Sequence, residues 1–170
     1  MMTNKVEHNK VFTFDLENTL SFGNLESETL LEVLSDGRVS SHFLERQLPL
    51  WFPELQHVAG CKDHDHINKK SGLKYDQKSF TKRGCRFAPS SMIGTGRKFD
   101  KEKFFEKAQS MIYIVCDITK LPQIQVIFRE GSALAEEYSK GIIPFRDRDK
   151  FFMSIEKSVK HDEQEAQEEA

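Results

Sequence analysis

The sequence contains no run of apolar residues near the ~20 that a membrane-spanning helix requires, which argues against that class. Its first ten residues, MMTNKVEHNK, lack the apolar core of a secretory signal, so secretion is not expected. Cysteine is scarce. Cys61, Cys85 and Cys116 are an odd set without a paired framework, which excludes a disulfide-stapled scaffold and suits a reducing, cytoplasmic setting. No internal repeat is visible. A strong net charge is also missing, the total being −2.

What is present is phenylalanine, with 14 copies, and enough apolar residues (38%) in 170 to bury the core of one domain. That domain is expected to span 1–155, with an acidic, disordered tail over 156–170. The near-neutral total hides a segregation of charge. Residues 67–107 hold twelve Lys/Arg against four Asp/Glu, whereas the last ten, HDEQEAQEEA, hold five acids and no Lys or Arg. A basic middle fits a polyanionic partner; a solvated lysine-rich face fits the charge equally well.

Along the chain, KVFTFDLENTL alternates like a short strand, with Phe12 and Phe14 on one side. A helix is expected from Asn24, with Leu25, Leu30, Leu31 and Leu34 as its stripe and Gly37 as its stop. A second should run from Val39 to Leu48, with Val39, Phe43, Leu44 and Leu48 inward, broken by Pro49 and Pro53. NKKSG reads as the turn of a β-hairpin, and CRFAPSSMIGTGRKF as a long exposed loop. Asp100 caps a helix over KEKFFEKAQS, followed by the strands MIYIVCDI and IQVIFRE and a short helix ended by Gly141. Helices first, then hairpin, helix, hairpin and helix, predict an α/β (α+β) domain: a mixed central β-sheet flanked by helices.

The hairpin carries the chemistry. In KYDQKSF, Asp76, Lys78 and Phe80 share one strand face. A turn centred on Lys70 and Ser71 places Asp65 opposite Asp76 and Asp63 opposite Lys78. Carboxylates facing each other are unfavourable unless a cation lies between them, and Mg²⁺ needs only one or two protein carboxylates plus waters and a phosphate oxygen. A lysine beside it can orient an attacking water and offset phosphate charge. An exposed Asp–Lys pair on a surface hairpin is the bland alternative.

HDHI followed by YDQKSFT resembles the metal-binding hairpin of PD-(D/E)XK nucleases, above all small restriction-endonuclease-like proteins of phages and bacteria. The resemblance runs over about 40–152 and extends to the loop MIGTGRKFD and the strand after it. No proline precedes Asp63 or Asp65, so the motif does not choose between them; Asp65 is favoured because it pairs with Asp76. The resemblance implies a restriction-endonuclease-like core, with Asp65, Asp76 and Lys78 catalytic and Glu45, on the preceding helix, as a further candidate. It also implies Mg²⁺ held by Asp65, Asp76 and Gln77, and double-stranded DNA as substrate for a homodimer in a bacterial or phage-infected cell. Lys82, Arg83, Arg86, Arg97 and Lys98 are the expected DNA contacts.

Other readings remain open. A DNA-binding module could keep this fold without catalysis. VFTFDLENTL is similar to the signature of haloacid-dehalogenase phosphatases, but Glu17 and Asn18 alter its acidic pair, and such folds need a doubly wound parallel sheet. Cys61, His64, His66 and Cys85 are zinc-type ligands without the usual second close-spaced pair. Cys85 and Cys116 read more simply as small core residues.

Overall fold

The computed structural model describes residues 3–16, 22–60 and 63–154. The expected acidic tail, Cys61, Glu17 and Asn18 therefore lie outside the described residues. In chain order the elements are β1 (Val11–Asp15), α1 (Ser27–Leu34), α2 (Gly37–Trp51), β2 (Leu55–His57), β3 (His66–Asn68), β4 (Lys74–Phe80) and β5 (Cys85–Arg86). A single 3₁₀ turn, Ser90–Met92, leads to α3 (Lys101–Gln109), β6 (Ile112–Lys120), β7 (Gln123–Glu130), α4 (Gly131–Glu137), β8 (Ile142–Ile143) and, after a second 3₁₀ turn, α5 (Arg148–Phe151). Six strands form one mixed sheet in the order β1-β7-β6-β4-β3-β2, and β5 pairs with β8 apart from it.

β4 and β6 run parallel, so the chain needs a crossover between them, which α3 supplies; the other neighbours in the large sheet are antiparallel. β6 is buried on both faces, which is why it reads as an unbroken apolar run. Its Tyr113 and Val115 join Phe80, Phe87, Phe104 and Leu134 in one core. Its Ile112, Ile114, Cys116 and Ile118 join Leu44, Leu48, Phe52 and Tyr75 in the other, under α2.

Four local expectations change. α1 starts at Ser27 rather than after Asn24, and Leu30 is its buried residue while Leu25 is exposed. Gly37 does not stop a helix. It opens α2, because Asp36 accepts from the Arg38 N–H and caps the new helix. The expected break at Pro49 does not occur either. α2 continues to Trp51, and burial of Leu48, Trp51 and Phe52 offsets the missing proline N–H. Pro53 ends the helix, holding Phe52 out of helical geometry (φ −127°, ψ 87°). Ser40 turns inward where Val39 was expected. The Asp100 cap of α3, which accepts from Lys103 N–H, is as expected.

Candidate active site

The β3–β4 hairpin has the anticipated register: His66 pairs with Tyr75 and Ile67 with Lys74. Asn68 fixes the turn, its Oδ1 accepting from the N–H groups of Lys70 and Ser71. Among the described residues β3 pairs with β4 only through Lys74 and Tyr75, so there β4 is paired from Asp76 onward on one side alone, to β6. Where a β3 carbonyl would have continued the ladder stands the Asp65 carboxylate, which accepts from Gln77 N–H at 2.8 Å. The hairpin opens there, and its two aspartates meet at the opening.

Asp76 is 9% exposed and its Oδ2 lies 3.2 Å from Lys78 Nζ. Burial pushes its carboxyl up to about 6; Lys78 opposes the shift and Asp65, within hydrogen-bonding reach, adds to it. Asp63 does not stand opposite Lys78 as expected. The chain has left the strand before it, and Asp63 pairs with exposed Lys74 at 3.3 Å and with His64 at 3.4 Å. Lys74 holds its carboxyl below the usual range.

A cleft of about 1730 Å³ runs along the open side of β4. Glu45, Asp65, Asp76, Gln77 and Lys78 all line it, as do Lys82, Arg83 and Arg86. The turn Thr81–Gly84 presents Lys82 and Arg83; Thr81 Oγ1 accepts from Arg83 N–H, and Gly84 takes φ +84°. Glu45 reaches the cleft from α2 and pairs with His57, 3.3 Å away, whose other ring nitrogen lies 3.1 Å from Arg46. The Gln77 side chain is engaged by Ser79, to which its Nε2 donates, and its backbone N–H by Asp65.

Arg97 and Lys98 do not line the cleft. Arg97 Nη1 instead donates to the carbonyls of Ser90 at 2.6 Å and Ile93 at 3.3 Å, tying its own loop together. That loop is also less exposed than expected, since Phe87 and Ala88 are buried. His57, Arg38 and Lys107 line or flank the site unforeseen. Lys107 falls within the basic stretch of sequence; His57 had no signal, because β2 is only three residues long.

The donor set is two adjacent carboxylates beside an ammonium, with the buried one resisting ionisation. Among the described residues no three His, Cys, Asp or Glu side chains converge as a metal cluster. A hard divalent cation fits Asp65 and Asp76 nonetheless, since two carboxylates and water satisfy it. Of the zinc-type residues, Cys85 and Cys116 are buried free thiols, Cys85 pushed up to about 12 by burial. His66 is wholly buried with neither ring nitrogen hydrogen-bonded, and burial lowers it to about 4. Asp15 of the phosphatase-like stretch ends β1, an edge strand paired antiparallel to β7. No protein-family model, curated protein or solved structure matches the chain. No helix among the described residues is long and apolar enough to cross a membrane.

Proposed function

We propose that this chain is a Mg²⁺-dependent endonuclease that hydrolyses phosphodiester bonds of DNA, built on a restriction-endonuclease-like core. The observation that carries the reading is the meeting of Asp65, Asp76 and Lys78 at the opening of one hairpin, inside a cleft whose wall carries Lys82, Arg83 and Arg86.

Asp65 and Asp76 would hold the cation, with the Gln77 backbone beside them. When bound, Mg²⁺ supplies Lewis-acid polarisation of the phosphate and lowers the pKa of water. Gln77 N–H fixes the Asp65 carboxylate, so that this ligand is oriented before any cation arrives. Lys78 serves two ends: its charge keeps Asp76 from rising further, and its Nζ can orient a water toward phosphorus and offset the charge that grows on the phosphate. Glu45, held by His57, adds a further carboxylate to the cleft wall. Lys82, Arg83 and Arg86 neutralise flanking phosphates and position the strand. Cutting both strands of a duplex favours a homodimer, in a bacterial or phage-infected cytoplasm.

Incubating purified protein with supercoiled plasmid, with Mg²⁺ or with EDTA, tests this. Nicking or linearisation is expected with Mg²⁺ alone. DNA that is bound but never cut, at any divalent metal, would leave a binding module on this fold.

A further inference from the structure

A second cavity, of about 360 Å³, is lined by Met92, Ile93, Phe99, Ile142, Arg86 and Lys140, at the small end of the ~300–1,000 Å³ typical of ligand sites. It shares Arg86, Ala88 and Ile93 with the large cleft, so the two spaces adjoin. Arg86 and Ile142 face each other across the β5–β8 pair. Phe99 is 37% exposed, while Phe104, wholly buried, backs its ring at 5.4 Å between centroids. Ile142 is 41% exposed. The rim is held in place by the Arg97 bonds to the carbonyls of Ser90 and Ile93. The hollow is therefore apolar, walled by an anchored aromatic ring, and flanked by a guanidinium and an ammonium.

An apolar slot whose lining includes two cations matches a flat ring carried on an anionic backbone. We propose that it receives one unpaired nucleobase of the strand lying in the cleft, stacked on Phe99, with Arg86 and Lys140 at the adjoining phosphates. The inference rests on the nuclease reading of the cleft and narrows its substrate. A base held in a duplex cannot enter the slot, so DNA with an unpaired nucleotide beside the cut is preferred over fully paired DNA. Stacking on an aromatic side chain is sequence-tolerant, so the slot selects for unpairing rather than for a particular base.

Three labelled probes in EDTA test it by fluorescence anisotropy with the full-length chain: a single strand, its blunt duplex, and that duplex with one bulged base. The wild type is expected to bind the single strand and the bulged duplex more tightly than the blunt duplex. Phe99→Ala should lower affinity for those two about tenfold and change the blunt duplex less than twofold. Phe99→Leu, which keeps the apolar contact with Phe104, should show the same selective loss with a wild-type melting temperature. Equal loss on all three probes, or no loss on any, overturns the slot. A protein that cuts plasmid in Mg²⁺ yet shows no preference for unpaired DNA refutes this inference alone. One that binds no DNA refutes the nuclease reading with it.

Discussion

Replacing Asp76 by Asn should stabilise the protein at neutral pH, although it removes the centre of the site. The folded-state carboxyl sits at about 6 against 3.8 in the unfolded chain, chiefly because it is buried. Between those values the folded state holds a proton that the unfolded chain has released, so stability falls as pH rises through this window and the full cost is present above pH 6. At about 1.4 kcal/mol for each tenfold change in proton affinity, the cost is about 3 kcal/mol. For a chain of this length that corresponds to roughly 6–12 °C in Tm. Thermal and urea unfolding of wild type and Asp76→Asn, in EDTA from pH 4 to 8, would show the variant ahead above pH 6.5 and the gap shrinking toward pH 4. His66 titrates in the same acid range and is itself raised by the Asp76 charge, so below pH 6.5 the gap carries its shift as well. Mg²⁺ should then raise the wild type, by about 2.7 kcal/mol at a hundred times its Kd, and leave the variant where it was. A wild type more stable than Asp76→Asn at pH 8 in EDTA, or a gap that ignores pH, would refute the account of a carboxyl strained by burial.

Lys78→Ala and Asp65→Asn should each reduce plasmid cleavage at least about a hundredfold with circular dichroism unchanged. Asp63→Asn, which pairs with an exposed lysine and with His64, should cut normally and shift stability by no more than about 1 kcal/mol. His66 is buried neutral, with a folded value near 4 against 6.5 unfolded. Its contribution is therefore intact above pH 6.5 and lost as pH falls toward 4, and His66→Phe should flatten the acid limb of the stability curve by roughly 3 kcal/mol. Gly84→Ala would place a methyl 2.3 Å from the Ile143 carbonyl oxygen at φ +84°, so it should fail to accumulate as soluble protein or melt at least about 10 °C lower.

The hairpin was legible because its determinants are local: an Asn–Lys–Lys–Ser–Gly turn sets a register, and alternation then assigns faces. The α3 cap and the apolar run of β6 were legible for the same reason. What could not be read depends on residues distant in the chain. α2 passes through Pro49 only because Trp51 and Phe52 find a core built from β1 and β7. Glu45 finds His57 only once β2 has joined the sheet. The slot beside Phe99 exists because β5 meets β8, 58 positions apart at Cys85 and Ile143 and too short to announce themselves. Asp63 and Asp65 were distinguishable by register, yet the departure of the chain before His66, which sends Asp63 outward to Lys74, was not.

The opening of the hairpin also bears on solubility. A strand with one unpaired side is a template onto which another chain can add, and proteins guard such sides with charge. Here the guards are Asp65, which occupies the Gln77 N–H, and the ion pair of Asp76 and Lys78. The groups proposed to cut DNA are thus the same groups that keep β4 from recruiting a neighbour's strand. A triple alanine variant at Asp65, Asp76 and Lys78, the natural choice for an inactive control, is therefore expected to self-associate with a gain of β-structure on standing. Single substitutions, which leave two of the three guards in place, are the safer controls.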